Sequence, residues 1–357
     1  DGSKETIVSD DSWKASTGPV VLSDIYDGEI YDARLEKSGW SKSGFDASDW
    51  VGTNVGSYPF DNLVAPAGPP IVKNEEIRPI EIITTPKGET VVDFGQNMVG
   101  WLRIKVEGPK GTTIKLIHAE VLDKEGNFYI ENLRAADQKI EYTLKGGGVE
   151  VYEPHFTFQG FRYVKVDGFP GTLTLDNLTG VVVHSDIPQV GSFECSNDMI
   201  NQLQHNILWG QKGNFVDVPT DCPQRDERLG WTGDAQVFAR TACFNSDVAA
   251  FYTKWMKDFI ADQQSEGQIP HVIPDVLSTR NNRKGSSASA GWADCVVILP
   301  WTVYLCYGDK TILEENYDCM KGWVDYQKKS AGDSYFWKKD HTFGDWLSFN
   351  TTRSDYP

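Results

Sequence analysis

The 357-residue chain has no run of about 18 apolar residues, the length a helix needs to cross a bilayer, and no charged-then-apolar leader opens it. It lacks a basic stripe: 51 Asp and Glu face 34 Lys and Arg, a formal charge of -17 that would repel the phosphates of a nucleic acid. The six histidines, His118, His155, His184, His205, His271 and His341, form no HExxH string or cluster, which disfavours a zinc hydrolase. No P-loop and no GxSxG serine elbow occurs, and the isolated glycine runs read as turns. Cysteine is missing from the first half. Cys195, Cys222, Cys243, Cys295, Cys306 and Cys319 all lie later, mostly among apolar neighbours and without paired metal-ligand spacing. They read as buried free thiols rather than a disulfide framework, which leans toward a reducing, cytoplasmic compartment.

What is present supports a multidomain globular chain: 39% hydrophobic and 12% aromatic residues can supply two or three cores. Gly56 to Pro70, with Pro59, Pro66, Pro69 and Pro70, reads as a linker. Beyond it Leu102, Ile104 and Val106 alternate with Arg103, Lys105 and Glu107, and Ile114 and Leu116 repeat the period of two. Turn signals at Gly108-Pro109-Lys110-Gly111 and Gly146-Gly147-Gly148 separate such runs, the pattern of an antiparallel β-sandwich or jelly roll. The period changes near Asn197, which can cap a helix whose face is Ile200, Leu203, Ile207 and Leu208. Asp247 can cap a second helix, with Val248, Phe251, Tyr252, Trp255, Met256, Phe259 and Ile260 at helical spacing. Trp292 to Tyr307 is apolar nearly all round, so a buried helix is expected, kinked at Pro300 and stopped at Gly308. Thr311 to Gln327 adds another.

The segment from Asp221 to Asp234, DCPQRDERLGWTGD, carries the chemistry. Pro223 blocks a regular helix, and Gly230 and Gly233 permit tight turns, so the polar groups are presented from a shaped loop. Asp221, Glu227 and Asp234 can each bind a sugar hydroxyl or carry a proton; Arg225 and Arg228 can hold neighbouring carboxylates; Trp231 offers a flat apolar face to a pyranose. Glycoside hydrolysis generally takes two carboxyl groups. By composition alone, a salt-linked surface loop is the commoner fate of such a run.

The string resembles the signature of bacterial α-L-rhamnosidases, family 78 of the glycoside hydrolases, and the similarity extends through VVDFGQNMVGW at Val91 to Trp101, HAEVL at His118 to Leu122, FQGFRYV at Phe158 to Val164, GQIPHVIPD at Gly267 to Asp275 and GDWL at Gly344 to Leu347. The resemblance implies β-sandwich or jelly-roll domains followed by the first half of an (α/α)6 toroid: residues 1–60 the end of an amino-terminal β-domain, 61–190 a β-sandwich with its leading linker, 191–357 the first part of the catalytic domain. It implies inverting release of terminal L-rhamnose from glycosides or oligosaccharides. Glu227 is then the general acid, with Asp226 its rival, and Asp221, Arg225, Trp231, Asp234, Trp292 and Trp346 bind substrate. Asp345, Asp275 and Asp294 are weaker candidates. Inversion implies carboxyl groups about 6.5–9.5 Å apart, leaving room for a water. In the family the catalytic base lies in a later loop than anything matching this sequence, so the span is expected to be truncated at both ends, to be inactive alone, and to need the rest of the toroid. Family members carry calcium in a β-domain, but no ligand set is recognised here, so no cofactor is expected. Another inverting glycosidase on the same toroid and a non-catalytic rhamnose-binding protein are the alternatives.

Overall fold

The computed structural model describes residues 2–61, 63–278, 288–338 and 341–347. Strands β1 (Lys14–Ala15), β2 (Val20–Asp24), β3 (Gly28–Asp32), β4 (Val51–Gly52), β5 (Ile71–Ile77), β6 (Glu81–Thr84), β7 (Thr90–Glu107), β8 (Thr113–Ala119), β9 (Lys139–Thr143), β10 (Val149–Tyr152), β11 (Gln159–Asp167) and β12 (Leu178–Ser185) fill the first half. Ten of them form one curled sheet in the order β2-β3-β9-β8-β11-β7-β12-β5, with β6 and β10 also paired to β7. Neighbours are antiparallel except β3 beside β9, which is parallel, so residues before 60 contribute two strands to the main sheet. β7 is 18 residues long because it serves both halves of the sheet: its start pairs with β6 and its end with β10. It bends where Gly95 and Gly100 take φ values of 72° and 150°. At Gly100 a Cβ would lie 1.9 Å from the Val181 carbonyl oxygen, so only glycine lets β12 approach.

The expected alternation is observed. Leu102, Ile104, Val106, Ile114 and Leu116 are at most 2% exposed and join Phe94, Phe161, Val164 and Val182 in one core, while Lys105 and Glu107 face solvent. The described part of the linker, residues 56–61 and 63–70, contains no helix or strand.

Helices α1 (Asp198–Asn214), α2 (Thr232–Asn245), α3 (Ala249–Asp262), α4 (Cys295–Tyr307) and α5 (Thr311–Ala331) follow, with a short hairpin of β13 (Phe215–Val216) and β14 (Val218–Pro219) after α1. Asn197 caps α1 as its sequence suggests, accepting from the Met199 amide at 3.0 Å. The apolar face does not pack as expected: Ile200 and Leu203 are exposed, and the helix meets the sheet at its far end, where Gly213 lies against Val99. Asp247 binds the Ala249 amide at 3.3 Å without filling the cap position. Phe251, Tyr252, Trp255, Met256 and Phe259 of α3 are buried and anchor the helical core, whereas Ile260 is exposed.

Two differences concern α4. It starts at Cys295, not Trp292, and it is buried on one side only: Val296, Leu299 and Val303 face the core while Ile298, Trp301 and Leu305 are exposed. Gly308 ends it at φ 72°, as expected. All six cysteines are free thiols, with Cys222, Cys243, Cys295 and Cys319 buried. Among the described residues no helix is long and apolar enough to cross a membrane.

Candidate active site

Asp221 follows β14 and opens a loop that closes on itself: its backbone amide donates to the Leu229 carbonyl at 3.0 Å, and its Oδ1 accepts the Leu229 amide at 2.9 Å. The interior of this loop holds Arg225 and Glu227. Arg225 donates from Nη2 to Asp221 Oδ2 and from Nε to Glu227 Oε2, both at 3.0 Å. One guanidinium therefore spaces two carboxylates that would otherwise repel each other. Asp221, Cys222 and Glu227 offer ligand atoms within 4.8 Å of one another, but Arg225 already supplies the positive charge there. Burial pushes the Cys222 thiol up to about 12, which keeps it a neutral packing group.

Arg228 departs from its expected part as a carboxylate partner. Its side chain is buried and donates to the carbonyls of Ile25, Phe158, Gln224 and Arg225, with Nη2 also 3.3 Å from Gln138 Oε1. Desolvation brings its pKa down to about 10, so it remains cationic at neutral pH. It bolts the loop to three separate stretches of the β-region. Tyr26 adds a hydroxyl bond to the Glu227 carbonyl at 2.8 Å.

The glycines also act differently from expectation. Neither Gly230 nor Gly233 has a positive φ; both are sites of close approach. A Cβ on Gly230 would lie 2.1 Å from the Ile273 carbonyl oxygen, and one on Gly233 2.5 Å from Trp292 Nε1. Gly233 lies in the first turn of α2, so the loop ends and the helix begins within the signature itself.

Asp221, Arg225, Glu227, Trp231, Asp234, Trp292 and Trp346 line a single cavity of about 280 Å³. Among the described residues, Arg134 and Phe343 also line it. Phe343 organises the aromatic wall, with ring centroids 4.7 Å from Trp292, 5.7 Å from Trp231 and 5.8 Å from Trp346. Trp231 lies parallel to His271 at 6.4 Å, and its buried Nε1 has no hydrogen-bond partner among the described residues. Burial brings the His271 pKa down to about 4, so that ring is neutral.

The carboxyls differ. Desolvation raises the pKa of Asp221, whose side chain is only 4% exposed. Asp234 opens onto the cavity from the first turn of α2, yet surrounding protein, then the charges of Asp221 and Glu227, raise its pKa to about 6. Asp226 does not line the cavity; its buried Oδ1 makes no hydrogen bond among the described residues and lies 3.8 Å from Arg134. The weaker candidates lie elsewhere. Asp275 binds the Ser278 amide and hydroxyl, Asp294 ties Trp323 and Gln327 at 2.8 Å each, and Asp345 is exposed outside the cavity lining.

Family models for bacterial alpha-L-rhamnosidase match in sequence along the chain: the N-terminal domain at residues 1–75, the concanavalin-like domain at 83–184 and the 6 hairpin glycosidase domain at 188–356. An alpha-L-rhamnosidase of Streptomyces avermitilis is 44% identical over 350 residues, 98% of this chain and 33% of its own, and one of Formosa agariphila is 44% identical over 352 residues, 97% of this chain and 37% of its own. The crystal structure of the native Aspergillus terreus enzyme superposes with a TM-score of 0.92 at 46% identity, covering 98% of this chain and 40% of that one. The Streptomyces avermitilis enzyme complexed with L-rhamnose gives 0.91 at 42% identity, covering 99% and 34%. The chain thus spans about a third of the length of these curated relatives.

Proposed function

Because the chain belongs to the bacterial α-L-rhamnosidase family, we propose that the protein containing it hydrolyses terminal α-L-rhamnosides by a single, inverting displacement. What carries the reading is one cavity in which Asp221, Glu227 and Asp234 converge beside Arg225 under the wall formed by Trp231, Trp292, Phe343 and Trp346. A 6-deoxy sugar presents a methyl group and an apolar ring face to such indoles, while its hydroxyls require carboxylates and donors.

Glu227 is the general acid in this reading. Arg225 and Arg134 hold its Oε2, and Oε1 delivers the proton to the leaving oxygen. Asp221, committed to Arg225 and the Leu229 amide, positions rather than transfers protons. Asp234 binds a sugar hydroxyl, as donor below about pH 6 and as acceptor above it. Trp231 Nε1 is a further donor for the sugar. Water attacks from the face opposite Glu227.

The stereochemical outcome tests this mechanism. Proton NMR of the full-length protein during early turnover of an aryl α-L-rhamnoside is expected to show β-L-rhamnose first, with the α-anomer appearing only by mutarotation. First appearance of the α-anomer would require a covalent glycosyl-enzyme and a nucleophilic carboxylate closer to the acid.

A further inference from the structure

The loop between β8 and β9 places a strained arginine on the acid. Arg134 has φ 59° and ψ −111°, a backbone conformation that a non-glycine residue occupies only when its surroundings impose it. The surroundings do so on both sides. Leu133 and Ala136 are buried, and Gln138, itself at φ 47°, is fully buried. Gln138 donates from Nε2 to the His118 and Gly160 carbonyls at 3.1 and 3.2 Å and accepts the Gly160 amide at 3.0 Å. From this anchored turn, Arg134 Nη1 reaches Glu227 Oε2 at 3.0 Å, with Asp226 Oδ1 3.8 Å away.

Resting on the assignment of Glu227 as the acid, we propose that Arg134 is a positioning residue lent by the β-region to the catalytic carboxyl. Arg225 belongs to the same loop as Glu227, and the loop's ties to the β-region through Arg228 and Tyr26 hold its backbone rather than the Glu227 carboxyl. Arg134 refers the acid to the sheet instead. Two guanidiniums on one oxygen fix the carboxyl plane and leave Oε1 as the oxygen that meets the leaving group. The Arg134 side chain is 54% exposed at the cavity edge, where an ion pair contributes little to stability, so the value of this contact lies in the site rather than in folding. The contact sits beside the proton that must be transferred, and a misplaced acid slows that step alone.

The test uses the full-length protein, with Arg134→Met, Arg134→Lys and Glu227→Gln compared on methyl α-L-rhamnoside and 2,4-dinitrophenyl α-L-rhamnoside. The dinitrophenolate departs without a proton, so a residue that acts through the acid matters little for it. Arg134→Met is expected to lower kcat on the methyl glycoside about 10- to 100-fold and on the dinitrophenyl glycoside less than about 3-fold, with inhibition by free L-rhamnose within about 2-fold of wild type. Arg134→Lys, which keeps a donor, should fall between. Equal slowing of both substrates would make the residue merely structural, and no slowing would make it idle; either overturns the proposal while Glu227→Gln still discriminates between the substrates. If Glu227→Gln itself shows no discrimination, the acid assignment fails and takes this inference with it.

Discussion

Replacing Glu227 with Gln in the full-length protein is expected to reduce hydrolysis of rhamnosides with unactivated leaving groups by about 10²- to 10⁴-fold, the usual contribution of a positioned general acid. The amide preserves size and can still accept from Arg225 and Arg134 through its oxygen, which now hold Glu227 at 3.0 Å each. It has no proton to give the leaving oxygen. Binding of L-rhamnose should persist, and activated aryl rhamnosides should lose far less. Asp226→Asn is the control, because Asp226 lies outside the cavity lining. Near wild-type turnover of an unactivated substrate by Glu227→Gln, with collapse in Asp226→Asn, would transfer the acid's role to Asp226.

The second large effect is on folding. Arg228 is 5% exposed and satisfies carbonyls of Ile25, Phe158, Gln224 and Arg225. Arg228→Met keeps most of the stem and leaves those part-buried acceptors without their shared donor. The expected cost is about 3–5 kcal/mol, a large part of the stability of an ordinary domain. Thermal unfolding should shift by roughly 10 °C. Lysine, a point donor without the planar fork, should recover only part of it. An unfolding midpoint unchanged by Arg228→Met would show that the carbonyls find other partners and that Arg228 is no bolt.

The parts of the site that lie close together in sequence were legible there. Asp221, Arg225, Glu227, Trp231 and Asp234 fall within fourteen residues whose proline and glycines rule out a plain helix, and the structure brings them to one cavity. Trp292 and Trp346 join them through Gly233 and Phe343. Arg134 was not legible. It is 93 residues from Glu227, and nothing in its neighbourhood marks an arginine that folding will carry to a carboxylate. Arg228 looked like a carboxylate partner because charge is visible in sequence and the carbonyls it serves are not. Asp294, a weaker candidate that the resemblance offered, ties Trp323 and Gln327 instead.

The fold divides similarly. Strand alternation at Leu102 to Glu107 predicts burial correctly because one face of a sheet meets a core regardless of what is distant. The helix α2 escapes a search for large apolar residues because it packs through Ala235, Ala239 and Ala242, whose small side chains allow close approach to α4. The exposure of Ile200 and Leu203 on α1, and of Trp301 and Leu305 on α4, shows the converse: helical periodicity identifies an apolar face without saying what covers it.

The central claim is that this cavity holds the sugar with Glu227 at its glycosidic oxygen. The most direct measurement is a crystal structure of the full-length Glu227→Gln protein with an intact α-L-rhamnoside. The account predicts the deoxy sugar against Trp231 and the Trp292–Phe343 wall, its hydroxyls on Asp221, Arg225 or Asp234, and the substituted carboxamide within hydrogen-bond distance of the glycosidic oxygen. A rhamnoside seated in this cavity with that oxygen turned away from the carboxamide, or bound at a different place, would contradict it.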